Sequence, residues 1–276
     1  MSENVSSSVT TSSRIIANDV DQIVIFSDAH GHRQALAALE QSLAALNGTY
    51  HVVCNGDIIY GGISPVESIQ WVMQHAADTT TCGNHDEAGF TFGYEGEPQP
   101  AYTEVGALQR MSDAERDYLR SLPQRLELTW RDRRIVCMHG HRSVEGKDCS
   151  WLSSPDAQIA CFAESAADLV ALGHTHFAYI HQGDDCIVAN SGSIGSPILA
   201  VAFPSNFHVQ SGGGAVVAGD NLRSSYLLIR EADGKLQPEI VRFDYDRTAV
   251  LDEMEAAGHD GLDVHRGWLL EGIIRV

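Results

Sequence analysis

Asp, Asn and His side chains recur in five short strings along the first two thirds of the chain. In order they are Asp28-Ala29-His30, Gly56-Asp57, Gly83-Asn84-His85-Asp86, His139-Gly140-His141 and Gly173-His174-Thr175-His176. Each string ends or follows a short apolar run, the pattern of a β-strand opening into a loop. Eight oxygen and nitrogen donors delivered from such strand ends can converge on one point: Asp28, His30, Asp57, Asn84, His85, His139, His174 and His176. Donors of that number and type suit two divalent metal ions better than one. Asp28 and His30 stand one residue apart, so on an extended strand end both face the same side and can grip one ion. His174 and His176 repeat the spacing at another strand end. Either kind of pair alone is common by chance; five strings in this order are not.

The elements that must position these side chains are legible around them. Ile23 to Ser27 reads as a buried strand ending at Asp28, followed by a helical pattern with Leu36, Leu39, Leu43 and Leu46 on one face. His51 to Cys54 reads as a second strand. Ser64, Pro65 and Glu67 then give an N-cap, a first helical residue and a capping box. Asp78 to Cys82 is expected as a third strand, and a strand–helix alternation of this kind implies parallel pairing. Residues 89–107, rich in Gly, Pro and aromatics, read as a surface loop beside the site. Ser112 with Glu115 forms another capping box, on a helix that stops before Pro123. Arg125 to Trp130 and Arg134 to Met138 form a hairpin into His139. A short helix near Ala157 to Ser165 precedes a strand, Leu169 to Leu172, ending at Gly173-His174. Phe177 to Gln182 and Cys186 to Ala189 form a second hairpin. Residues 197–224 are a long Gly/Ser-rich connection, and Ser225 to Arg230 and Glu239 to Phe243 are late strands. From about residue 246 the pattern is helical and amphipathic. The expected fold is α/β, with two mixed β-sheets packed together and helices outside. Residues 1–20 are expected as a disordered Ser/Thr-rich tail and 21–276 as a single domain.

Composition limits the partners. With 276 residues and a net charge of -19, the chain lacks the clustered Lys and Arg that a long nucleic acid requires. A small anionic substrate is still compatible, because bound metal charge dominates the field inside a site. The beginning of the chain has neither a basic start nor an apolar run, and no stretch is long enough to span a membrane, so the expected location is the cytoplasm. The six cysteines (Cys54, Cys82, Cys137, Cys149, Cys161 and Cys186) form no close CxxC pair and are expected as reduced thiols. Cys82 is the one nearest a candidate site. The C-terminal helices can pack on their own domain or on a second copy as a homo-oligomer.

The order D-x-H, G-D, G-N-H-D, H, G-H-x-H resembles the calcineurin-like metallophosphoesterase superfamily, and in particular its compact bacterial and archaeal phosphodiesterase branch. The neighbouring text agrees: Gly31 before a leucine-rich helix, glycines after Asp57, and Asn190-Ser191-Gly192-Ser193-Ile194-Gly195. The resemblance implies a four-layer αββα sandwich with two metal ions, drawn from Mn²⁺, Fe, Ni²⁺ and Zn²⁺, at its strand ends. It further implies that Asp28, His30 and His176 hold the first ion and Asn84, His139 and His174 the second, with Asp57 bridging. His85 would then be the catalytic acid. The activity implied is hydrolysis of small soluble phosphate esters, monoesters or diesters and nucleotides among them, by a bridging hydroxide at the dinuclear centre. His32, Arg33 and His141 are weaker candidates for substrate contact.

One departure narrows the resemblance. Protein phosphatases and symmetrical diadenosine tetraphosphate hydrolases extend Gly-Asp to G-D-x-x-D-R-G. Here the second Asp, which orients the catalytic His in those enzymes, is Tyr60, and the phosphate-binding Arg is Gly61. A protein-phosphatase activity is therefore disfavoured, and the sequence names no partner for His85. Two alternatives stay open: an asymmetrical dinucleoside polyphosphate hydrolase, and a catalytically silent metal-binding scaffold.

Overall fold

Alternation along the strands builds the layers. In β2 (Gln22–Phe26) every residue is buried, because Ile23 and Ile25 face one layer while Val24 and Phe26 face another. Ile23 and Ile25 pack with Val53, Leu227 and Ile229 against Leu126, Leu128, Trp130, Ile135 and Leu169 of a second sheet. Val24 and Phe26 pack against the apolar stripe Leu36, Leu39 and Leu43 of the first helix, and against Ile69 and Val72 of the next. The outer face of the second sheet, with Val136, Val170 and Val188, is covered by Phe162. Helix, sheet, sheet, helix is thus the order of layers. A single Leu39→Ala change in this core costs about 2–5 kcal/mol. The computed structural model describes residues 9–140, 154–198, 200–202, 215–217 and 222–275.

The four-stranded sheet has the order β12 (Lys235–Phe243), β11 (Ser224–Ala232), β2 and β3 (Tyr50–Cys54). Its β2–β3 pair is parallel, joined through α1 (Arg33–Ala44), and the β11 pairings are antiparallel. The six-stranded sheet runs β1 (Thr11–Ile15), β4 (Arg125–Trp130), β5 (Arg133–Met138), β6 (Leu169–Leu172), β8 (Ile187–Ser191), β7 (Ala178–Gln182). Here β5–β6 and β6–β8 are parallel. A small third sheet joins β9 (Ala200–Ala202) to β10 (Ala215–Val217) and β13 (Ile273–Arg275). Helices α2 (Pro65–His75), α3 (Asn84–Phe92), α4 (Glu104–Arg110) and α5 (Asp113–Ser121) follow β3; α6 (Pro155–Phe162) precedes β6; α7 (Arg247–Ala256) and α8 (Leu262–Arg266) follow β12. Among the described residues no helix is long and apolar enough to cross a membrane.

Several expectations are corrected. Thr11–Ile15 is not part of a disordered tail but an edge strand parallel to β4, and largely exposed, which is why it carries no apolar signal. Asp78 to Cys82 is not a strand: only Thr80 bridges Cys54, because the Thr80 hydroxyl donates to the Ala76 carbonyl and Cys82 N–H turns away to Pro123. Residues 89–107 are not one loop, since α3 reaches Phe92 and α4 starts at Glu104. Ser64 makes no side-chain cap; its carbonyl instead accepts from Ser68 Oγ at 2.9 Å. The Ser112–Glu115 capping box is present as read. Cys54, Cys82, Cys137 and Cys186 are free thiols, but Cys161 is disulfide-bonded, so the chain does not keep all six reduced.

Candidate metal centre

Parallel strands present their carboxyl ends on one edge of the sandwich, where chain reversals leave polar side chains facing a common crevice. Asp28 follows β2, Asp57 follows β3, His139 follows β5 and His174 follows β6. Reversing there forces unusual backbone: Asp28, His30, Asp57, His174 and His176 all have positive φ, between 51° and 70°. Such conformations cost of order 1–3 kcal/mol each and persist where the surroundings over-determine them, typically at functional sites. Two glycines show why the strings read Gly-Asn and Gly-His. A Cβ on Gly83 would lie 2.1 Å from Asp57 Oδ1, and one on Gly173 would lie 2.1 Å from Ser27 Oγ.

The structure gathers the seven sequence-predicted ligands into two groups. Asp28, His30 and His176 offer ligand atoms within 4.8 Å of one another, as do Asp57, His139 and His174. Asn84 Oδ1 joins the second group, 3.1 Å from His139 Nε2 and 2.8 Å from His174 Nδ1. Asp57 Oδ2 lies between the groups, 3.1 Å from His139 Nε2 and 3.9 Å from His30 Nε2. The first group is buried throughout, whereas Asn84 and His174 are exposed, so the second group is open to solvent.

Backbone anchors hold these side chains with their ligand atoms inward. Nδ1–H of His139 donates to the Asn55 carbonyl at 2.7 Å, and Nδ1–H of His176 to the Ser196 carbonyl at 2.5 Å. Each bond turns Nε2 towards the centre, where it can serve as a ligand atom once an ion takes the place of a proton. Asn55 also donates to the Met138 and Ala171 carbonyls, tying the two sheets together beneath the site. Ser193 and Asn190, from the Asn190–Gly195 string, donate to the Asp28 and Gly173 carbonyls. Asp86, at the end of the Gly83–Asp86 string, is buried, and its carboxylate accepts from the N–H groups of Asp57, Ile58, Ile59 and Gly83. It fixes the loop that carries Asp57.

The charges fit divalent ions. Burial opposes ionisation of Asp28 and Asp57, but His176 and His139 for the first, and His139 and His30 for the second, hold both well below the usual carboxylate range. Two buried anions in turn demand positive charge. Burial works against a charged His139, yet Asp57 and Asp28 push it up to about 10. One carboxylate oxygen of Asp28 accepts from His174 N–H at 3.1 Å. The other, Oδ1, is fully buried with no hydrogen-bond donor, 3.2 Å from His176 Nε2 and 3.6 Å from His30 Nε2. His30 and His176 Nε2 are themselves only 3.0 Å apart. An orphaned oxygen between two ring nitrogens is the donor set of a cation site.

Beside the second group, His85 begins α3. Its N–H donates to Asp57 Oδ1 at 3.0 Å, its Nδ1 is 2.9 Å from Glu104 Oε1, and its ring stacks on Tyr60 at 4.0 Å with planes 5° apart. Burial lowers the imidazole's affinity for a proton, but the Glu104 hydrogen bond and the charges of Asp57, Glu104 and Asp86 outweigh it, and its pKa is raised. Glu104 lies in a stretch whose sequence carried no motif. The other candidates stand elsewhere. His32 is buried at the start of α1, with Nε2 3.4 Å from Ser196 Oγ. Arg33 pairs with Glu253 of α7. His141 lies outside the described residues. Cys82 belongs to neither ligand group; its thiol donates to the Gly83 carbonyl, and burial raises its pKa strongly. Reasoning from sequence also missed His265 and Trp268, which pack beside the first ligand group: Trp268 stacks near His176 at 5.9 Å and His265 packs on Trp268.

A two-sheet sandwich with seven convergent Asp, Asn and His ligands defines a candidate dinuclear metal protein. Residues 22–207 match the family model of the calcineurin-like phosphoesterase superfamily domain, and the chain belongs to that superfamily. No functionally curated protein matches it in sequence. Among solved structures it is similar to a metallophosphoesterase from Sphaerobacter thermophilus, at 20% identity and a TM-score of 0.66 over 90% of this chain and 100% of that one. A hypothetical protein from Pyrococcus horikoshii OT3 gives 16% identity and a TM-score of 0.66, over 88% and 97%. Both likenesses are of fold.

Proposed function

We propose that this protein is a phosphoesterase using two divalent ions (from Mn²⁺, Fe, Ni²⁺ and Zn²⁺) to hydrolyse small soluble phosphate esters, diesters or monoesters. The observation that carries the reading is the pair of ligand groups sharing Asp57, with Asp28 Oδ1 orphaned between His30 and His176. Asp28, His30 and His176 would hold one ion; Asn84, His139 and His174 the other; Asp57 both. Two such ions, when bound, would supply an activated water and offset the charge of the phosphoryl oxygens. The remaining work falls to the chain. Carbonyl anchors turn Nε2 of His139 and His176 towards the ions, and Asp86 keeps Asp57 in place. Exposed Asn84 and His174 leave the side by which a phosphate ester enters. His85 holds a proton beside that side and delivers it to the departing alkoxide, a role worth about 10²–10⁴-fold in rate.

The test is hydrolysis of bis-p-nitrophenyl phosphate and p-nitrophenyl phosphate by metal-stripped protein reloaded with each of the four metals. At least one metal should restore turnover, and a chelator should remove it. No metal-dependent hydrolysis of either ester would favour the silent scaffold, against which the paired His85 now counts. Product analysis on diadenosine tetraphosphate tests the asymmetrical hydrolase, which would release ATP and AMP.

A further inference from the structure

We infer that Glu104 is the positioning residue of His85, standing in from a different element for the carboxylate that Tyr60 displaces, while Tyr60 fixes the plane of the same ring. The inference rests on the phosphoesterase reading, in which His85 delivers a proton to the leaving group.

An imidazole on a helix start is free to turn about two bonds, and a general acid must present its proton at one nitrogen in one direction. Three contacts remove that freedom here. The His85 backbone N–H is tied to Asp57 Oδ1, so the acid is registered to the bridging carboxylate itself. The Nδ1–H bond to Glu104 at 2.9 Å assigns the other proton to Nε2, which makes no hydrogen bond to any described residue. The Tyr60 stack, nearly parallel at 4.0 Å, blocks rotation of the ring out of that plane.

Glu104 is nineteen residues from His85, and close packing keeps the two in register. Thr103 caps α4 by accepting from Gly106 N–H at 3.0 Å. A Cβ on Gly106 would lie 1.8 Å from the Pro100 carbonyl oxygen, and one on Gly89 of α3 would lie 3.0 Å from the Glu104 carbonyl oxygen and 2.7 Å from Leu108. Helices α3 and α4 therefore meet at Gly89, where an added side chain would press on the Glu104 carbonyl and on Leu108. The same stretch reaches Tyr60 from behind: the Tyr102 carbonyl accepts from Gly61 N–H at 2.8 Å. Residues 102–104 thus set both constraints on His85, its in-plane partner and its stacking partner. An incidental surface ion pair would need no such framing.

The experiment compares metal-loaded wild type, Glu104→Gln and Glu104→Asp on two matched phosphodiesters, one with a p-nitrophenyl and one with an unsubstituted phenyl leaving group. p-Nitrophenolate departs without a proton, and phenolate needs one. Glu104→Gln should lose at least about tenfold more kcat on the phenyl ester than on the p-nitrophenyl ester, with Glu104→Asp intermediate. Equal losses on both esters, or none, would overturn the inference. A second readout is independent of turnover. In Zn²⁺-loaded protein the charge-assisted Nδ1–H of His85, assigned with His85→Gln, should resonate far downfield and disappear in Glu104→Gln. A signal unchanged by Glu104→Gln would equally overturn it. Wild type inactive on both esters with every metal would sink the phosphoesterase reading instead, leaving the resonance to decide the Glu104–His85 pair.

Discussion

The strand-end cluster and the helix-borne edge beside it are built on opposite plans. Asp28, His30, Asp57, His139 and His176 are all buried and come from four strand ends, and all but His30 are held by backbone carbonyls and amides. The side chains of His85 and Glu104 are 27% and 17% exposed, come from helices, and hold each other. Groups that stabilise charge must not move as the charge develops, so they belong on the rigid plan. A proton donor must reach a leaving group that differs between substrates, and a partly open side-chain pair allows that. If this division is real, damage to each region has a different signature.

Asp57→Asn should have the largest effect. It removes the carboxylate that lies between the two ligand groups while Asp86 continues to hold the loop. Turnover should fall more than about 10³-fold on every ester, whatever its leaving group, because charge stabilisation at the phosphoryl group fails. Metal analysis should show bound metal falling in step. Near-normal turnover with one ion bound would mean that a single metal suffices.

His85→Ala should leave metal content unchanged and cost about 10²-fold or more on esters with poor leaving groups, and much less on p-nitrophenyl esters. Loss of metal from this variant would show that the edge is part of the cluster after all, and the contrast would collapse.

The C-terminal segment allows a milder comparison through stability. His265 is buried, and burial, with the charges of His259 and His30, lowers its pKa to about 4 from an ordinary 6.5. Its Nδ1 has no hydrogen-bond partner among the described residues. The unfolded chain therefore binds a proton that the folded state refuses between pH 6.5 and about 4. Stability falls as pH falls through that window, by up to about 3 kcal/mol. Chemical denaturation at pH 7 and pH 4.5 should show a shallower loss for His265→Phe than for wild type. Parallel losses would mean that His265 takes up its proton in the folded state at little cost.

Sequence and structure agree best where chemistry and sterics coincide. The strings around Gly83 and Gly173 were legible because no side chain fits at those glycines and no ordinary strand ends in clustered Asp and His. Ligand order therefore exposed the cluster and, through the resemblance, the two-sheet frame. Glu104 was invisible because its partner is nineteen residues away in a stretch without periodicity, and only the packing of α3 on α4 joins them. His265 and Trp268 were invisible for the same reason on a longer scale. The edge strand Thr11–Ile15 buries too little to leave an apolar alternation, and its partner β4 lies more than a hundred residues on.

Arg33 should give the smallest effect, and it tests where the functional edge stops. A basic residue at the start of α1 invites a phosphate contact. In the structure its guanidinium is committed to Glu253, whose other carboxylate oxygen accepts from Gln34 at 2.7 Å, so the trio clamps α7 onto α1. With Arg33 46% and Glu253 34% exposed, the pair contributes about 1 kcal/mol or less. Arg33→Ala should therefore lower the denaturation midpoint slightly and leave kcat/KM for phosphate esters within about twofold. A rise in KM of tenfold, with kcat and stability unchanged, would place Arg33 on the substrate. The edge would then extend past Tyr60 to the first helix, and a second charged side chain would join His85 as a helix-borne partner of the strand-end ligand groups.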